Sequence, residues 1–206
     1  MRIFPFLLPL FITVSLHAQK KSLDMDHENF FRFGGKAGVN INKVNGVSFS
    51  RSFSYNFQLG GFVQFNFSNR FGIQPEVNFV QSSAEVSSDG TVIYDDLMGG
   101  GSQKKVSMNA LEIPLLLNIN LGPSKRVKLQ LGPAYSGLLS QKIDSLVQGI
   151  RIYKKSEWSA LGGIWFQLPL FNLGFRFKQG LSDINGIDNR QTWKNQAFQV
   201  FAGLTF

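Results

Sequence analysis

Two acids and five bases stand where extended chain would turn them all to one face. Glu76 and Glu112 take the polar parity of two neighbouring apolar–polar alternations, and Arg32, Lys36, Lys128, Arg176 and Lys178 take that parity in others. Charges that share an enclosed face must pair, because an isolated buried charge is costly. A set of this kind can act as a structural ion-pair plug, or as a gate on a narrow ion path. The plug is the simpler expectation.

Little else in the chain could do chemistry. Behind the first 18 residues the remaining histidine is His27, in a polar segment ahead of the first alternation. A Ser-His-Asp relay cannot be assembled from the alternating segments, and a histidine metal site is not expected. The chain has no cysteine, which excludes disulfides, thiolate metal sites, a cysteine nucleophile and a lipid-modified cysteine anchor. Asp95, Asp96, Asp183 and Asp188 fall in loops, where solvation accounts for them. Gly99-Gly100-Gly101 lacks the strand-to-helix setting of a phosphate loop and reads as a flexible loop tip. The expectation is a non-enzymatic protein with no cofactor and no metal.

The elements that position the charges follow a period of two. Phe31, Phe33, Ala37, Val39 and Ile41 alternate with Arg32, Lys36, Asn40 and Asn42. Leu111, Ile113, Leu115, Leu117, Ile119 and Leu121 alternate with Glu112, Asn118 and Asn120; Leu173, Phe175 and Phe177 alternate with Asn172, Arg176 and Lys178. The same split recurs through Tyr55–Phe67, Phe71–Phe79, Val127–Tyr135, Trp158–Leu168 and Phe198–Phe206. This predicts about eight strands of roughly 9–13 residues, long enough to cross a bilayer when tilted. Connections alternate in length: Ser68–Arg70, Gly122–Arg126 and Pro169–Phe171 are short, while Lys43–Ser54, Ser83–Lys105, Ser140–Glu157 and Ser182–Asn195 are long. Short turns at one end and long loops at the other mark outer-membrane barrels. Pro75, Pro114 and Pro133 fall inside strands; proline removes a ladder donor, so local bulges are expected there.

Composition agrees. The chain holds 21 Phe and 21 Gly, only 17% charged residues, and a mean hydropathy of −0.02. Past the N-terminus no apolar run is long enough for a transmembrane helix. The formal charge of +8 comes from scattered Lys and Arg rather than a basic stripe. Anionic lipid headgroups are therefore a better partner than nucleic acid. Arg2, the apolar stretch Ile3–Leu16 and the polar run Gln19-Lys20-Lys21 are laid out like a secretory signal peptide, with cleavage after Ala18. The expected organisation is a leader over 1–18, a periplasmic segment over 19–30, and an all-β, closed, antiparallel, up-and-down transmembrane barrel over 31–206. Phe206, on the apolar face of the last strand, resembles the mark that the barrel-assembly machinery reads.

Five stretches carry a family resemblance: Gly35-Lys36-Ala37-Gly38-Val39-Asn40, Ile73-Gln74-Pro75-Glu76-Val77, Leu111-Glu112-Ile113-Pro114-Leu115-Leu116, Leu131-Gly132-Pro133-Ala134-Tyr135, and Gly174-Phe175-Arg176-Phe177 with Gly180-Leu181. In that order they resemble the porin-family or PorT-like outer-membrane barrel proteins of Bacteroidetes. The resemblance implies an eight-stranded barrel in the cell outer membrane and little chemistry. The named member is similar to a component needed for type IX secretion, a role that membership does not carry over. The leading expectation is a structural or interaction component that meets a protein partner through its long loops; the alternatives are a narrow small-solute channel or ligand-binding barrel, or an accessory component of a secretion system. A soluble lipocalin-like carrier would need an apolar interior and a Gly-x-Trp near the first strand, and the chain has neither.

Overall fold

The computed structural model describes residues 29–45, 53–85, 105–143, 154–186 and 192–206. The expected leader over 1–18, His27, Asp95, Asp96, Asp188 and Gly99–Gly101 lie outside them. Eight strands run in chain order: β1 Phe31–Asn45, β2 Ser54–Asn66, β3 Phe71–Glu85, β4 Lys105–Leu121, β5 Val127–Ile143, β6 Ser156–Gln167, β7 Phe171–Gly180 and β8 Lys194–Thr205. Each pairs antiparallel with its chain neighbour, and β1 pairs with β8 to close the barrel. The expected up-and-down topology and strand count hold. β2, β6, β7 and β8 have the expected length, whereas β1, β3, β4 and β5 are longer, above all β4 and β5, which extend beyond their apolar segments.

Burial alternates along every strand, with its sense reversed from that of a water-soluble protein. Phe31, Phe33, Phe57, Leu59, Leu115, Leu131, Phe171, Phe175 and Leu204 are exposed around the outside. Gln64, Gln74, Glu112, Lys128, Gln130, Asn172, Arg176 and Gln199 are fully buried inside. An apolar belt on this scale is unstable in water, whereas lipid as the outer solvent makes the same pattern stabilising.

The prolines correct one expectation. Among the described strand pairs the one register shift lies between Asn109 and Ala110 of β4, where Asn109 faces Ser140 and Ala110 faces Leu138. No bulge occurs at Pro75, Pro114 or Pro133. Each keeps its register and opens a gap in one ladder only. Pro75 pairs with Leu115 but not with β2; Pro114 pairs with Ala134 but not with β3; Pro133 pairs with Ala160 but not with β4. In an antiparallel sheet a residue's N–H faces one neighbour, so losing that donor interrupts one ladder without requiring an inserted residue.

Candidate functional site

An eight-stranded barrel has an interior just wide enough for side chains to fill. Here two charged hubs and an aromatic layer fill it. Glu76 of β3 is the first hub. Lys36 Nζ, from β1, donates to its Oε2 at 2.6 Å, and Arg176, from β7 on the far wall, donates to both carboxylate oxygens at 2.7 and 2.8 Å. Gln74 and Asn78 on the same strand donate to the same carboxylate. Arg176 also donates from Nε and an amino nitrogen to Gln130 Oε1 at 2.8 and 2.6 Å, which ties in an amide net of Gln64, Gln74, Asn118 and Gln130. The two-point contact between Arg176 and Glu76 is the strong, oriented form of the ion pair.

Lys178, two residues along β7 and so on the same face, is the second hub. Its ammonium donates to Glu112 Oε2 at 2.8 Å and Ser136 Oγ at 3.1 Å, and lies 3.2 Å from Glu157 Oε2. Gln199 donates to the other oxygen of Glu112. Three acids and three bases thus meet within the lumen, and the set is formally neutral.

Beside the first hub sits an apolar layer. Phe62 and Trp165 meet edge to face at 5.0 Å, and Trp165 lies 5.6 Å from Phe201. Lys36 Nζ stands 4.3 Å from the centre of the Phe201 ring, and the Arg176 guanidinium 4.6 Å from it. The cations are therefore held by ring faces as well as by carboxylate. Room for the rings comes from glycine: a methyl on Gly174 would fall inside the Phe201 ring, and one on Gly34 would crowd Phe62.

Five of the seven charges picked out by parity, Lys36, Glu76, Glu112, Arg176 and Lys178, meet in these two hubs. Lys128 is fully buried one lumen position nearer the short turns than Gln130, in register with Asn120 and Trp165. Arg32 is half-buried at that end, and its Nε has no hydrogen-bond partner. Glu157 was missed, because the sequence placed it at a loop boundary. Phe62, Trp165 and Phe201 were missed as lumen residues although each shares the parity of a buried glutamine on its strand, Gln64, Gln167 or Gln199. Phe206 closes the barrel: its N–H donates to Phe33 O at 2.8 Å, and Phe33 N–H donates to Phe206 O at 3.1 Å.

The long-loop mouth is narrowed from two sides. Above Val80, β3 leaves the β2 ladder and crosses the inner faces of β1 and β2. Asn40 Nδ2 donates to Gln81 O at 2.9 Å, Asn42 Nδ2 donates to Ser83 O at 3.0 Å, and Ser83 Oγ donates to Asn56 Oδ1 at 3.0 Å. The β4–β5 bulge at Asn109 falls at this height, where a bulge adds bend and twist. The resulting arm roofs a cavity of about 40 Å³ with Val80 and Met108; Lys178 and Glu157 also line it.

From the opposite side, Ile184 N–H donates to Trp193 O and Lys154 N–H to Ile184 O. Asp183 accepts from Lys154 Nζ at 2.7 Å and from the Trp193 and Asn185 N–H groups at 2.8 and 3.0 Å. Partial burial pushes the Asp183 carboxyl up, but these donors outweigh it and hold the group below the ordinary aspartate range. A carboxyl lowered on folding contributes in full above its unfolded pKa, and the contribution disappears as pH falls through the folded value. Hydrogen exchange at the Trp193 and Asn185 amides, corrected for intrinsic rate, is thus expected to speed up below about pH 4. Asp183→Asn should abolish that dependence.

A family model described as outer membrane protein beta-barrel domain matches residues 17–186. No curated protein matches the chain. Among solved structures, the outer membrane protein OprG from Pseudomonas aeruginosa is 16% identical, with a TM-score of 0.55 over 88% of this chain and 98% of that one. Ail, the attachment invasion locus protein of Yersinia pestis, is 13% identical, with a TM-score of 0.49 over 86% of this chain and 100% of that one. Neisserial surface protein A is 10% identical, with a TM-score of 0.48 over 86% and 98%. At such identity the OprG match speaks for the fold alone.

Proposed function

Because the chain belongs to the outer membrane protein beta-barrel domain family, we propose that it is a non-enzymatic structural and interaction component of the outer membrane, with a lumen plugged by its own side chains. The observation that carries this reading is the filled interior. Glu76 and Glu112 each satisfy buried cations, and Phe62, Trp165 and Phe201 occupy the space beside them. A steady aqueous path would have to break these pairs, at a cost of several kcal/mol each. The protein then acts at its ends. Short turns belong to the periplasmic side and long loops to the outside, where a protein partner would be met.

Several finer roles belong to the same reading. Residues 1–18 are a leader removed on export, residues 19–30 lie on the periplasmic side, and Phe206 is the mark by which the barrel-assembly machinery takes up the last strand. The PorT-like, Bacteroidetes affiliation rests on the five motif stretches.

Planar-bilayer recording of the refolded full chain tests the plug. The expected result is little steady conductance, accompanied by a gel band that shifts on heating, as a closed barrel gives in detergent. Large, steady wild-type currents would overturn the plug in favour of a small-solute channel.

A further inference from the structure

A second built feature lies at the opposite end of the barrel from the narrowed mouth, on its outer rim. The turn between β2 and β3 and the turn between β4 and β5 stand side by side there, because β3 and β4 pair down to Phe71 and Ile119. Between them runs a groove lined by Asn69, Arg70, Ile119, Leu121, Pro123 and Lys125 among others. Its volume, about 460 Å³, lies within the roughly 300–1,000 Å³ typical of small-molecule sites.

Three observations set this groove apart from a chance hollow. Asn120 fixes its two banks: its N–H donates to Arg70 O at 2.8 Å, and its Nδ2 donates to Asn69 O at 2.8 Å. The separation of the two turns is thus set by the fold. Lys125 is the one non-glycine residue among those described with a positive φ, 55°. L side chains rarely adopt that conformation, and it tends to persist where the surroundings or a function require it. Finally, the floor is amphipathic. Ile119 and Leu121 belong to the outward apolar belt, and Leu121 is exposed. Arg70 and Lys125 stand at the water end, with no acid among the lining residues.

We propose that this groove binds the headgroup and upper acyl chain of a net-anionic phospholipid, with Arg70 and Lys125 on the phosphate and Ile119 and Leu121 along the chain. The inference rests on the outer-membrane reading. Guanidinium and ammonium groups both bind phosphate well. Arg70, stacked 5.9 Å from the Phe71 ring centre, is held at the aromatic edge of the belt, at headgroup depth. A zwitterionic lipid would bring its own ammonium against two cations, so the groove prefers an unbalanced negative charge.

Native mass spectrometry of the detergent-solubilised full chain tests this, with dioleoylphosphatidylglycerol, dioleoylphosphatidylethanolamine and inorganic phosphate as probes. Each basic side chain near a membrane surface contributes about fivefold to binding an anionic lipid. Arg70→Gln with Lys125→Gln should therefore weaken phosphatidylglycerol retention about 25-fold and abolish its advantage over phosphatidylethanolamine. Lys155→Gln, at the long-loop end, should leave both unchanged. Equal loss in the two variants, or no preference in the wild type, overturns the proposal. Inorganic phosphate bound at Arg70 and Lys125 as tightly as the lipid also overturns it, since the site would then serve a free anion. Protease protection in vesicles of either lipid separates the two readings: insertion without lipid preference removes only this site, whereas failure to insert removes the membrane reading with it.

Discussion

Glu76→Gln is expected to lower the unfolding free energy of the barrel by about 3–5 kcal/mol, the cost of breaking a buried ion pair from one side. Glutamine keeps the shape, so the loss is one of charge. It strands Lys36 and Arg176, both buried and both at hydrogen-bond distance from the same carboxylate. With the carboxylate gone, two like charges face each other in the lumen. Glu112→Gln should cost less, because Lys178 retains Glu157. Removing the second stranded charge with Glu76→Gln plus Lys36→Met should recover part of the deficit, a non-additivity that a purely steric effect would not produce. Urea unfolding of the variants refolded into vesicles, followed by tryptophan fluorescence, checks this. An unchanged midpoint for Glu76→Gln would mean that the hub adds nothing to stability.

Trp165→Ala should be comparably severe and should do something the charge variant does not. Trp165 is fully buried, touches Phe62 and Phe201, and donates its indole N–H to Gln167 Oε1 at 2.8 Å. Deleting a buried aromatic costs about 3–5 kcal/mol. In an ordinary core the space left behind would stay dry. Here Gln167 and Arg176 border it, so water has polar partners and can enter. Trp165→Ala is therefore expected to admit a small ion leak in planar-bilayer recording, whereas Trp165→Phe should stay silent. Silence in both, with the stability loss present in Trp165→Ala, would assign closure to the ion pairs alone.

How much of this was legible depended on what period two can and cannot encode. It separates faces, so Lys36, Glu76, Glu112, Arg176 and Lys178 were placed together from sequence. It does not say which charge meets which. Lys36 on β1 reaches Glu76 on β3, and Arg176 reaches it from β7, because the strands are staggered and tilted around the closed sheet; nothing local to any strand records that stagger. Aromatic side chains off the apolar parity are what the alternation leaves unplaced: Phe31 and Phe175 lie on the outer face, yet Phe62 and Phe201 point inward where Gly34 and Gly174 leave room. A proline in a strand suggests a bulge only if its missing donor needs an inserted residue, whereas an antiparallel ladder can simply skip the bond. The ends of β3, β4 and β5 look like loop in the sequence, since strand that projects past the apolar belt carries no alternation to betray it.

The closing seam has a consequence for the order of events. Seven of the eight strand pairings join chain neighbours, and only β1 with β8 joins the two ends of the barrel. The backbone pairings of highest sequence separation are thus gathered into one zipper, from Gly34 with Thr205 to Asn45 with Lys194. In loop-closure terms the entropy of bringing the ends together falls due all at once, after the hairpins have formed and before any of the seam's bonds reward it. Gly34, Gly38 and Gly203 line that zipper where the backbones come too close for a side chain. A side chain at any of the three would be forced against the opposing backbone, so the seam can zip shut only because these positions carry none.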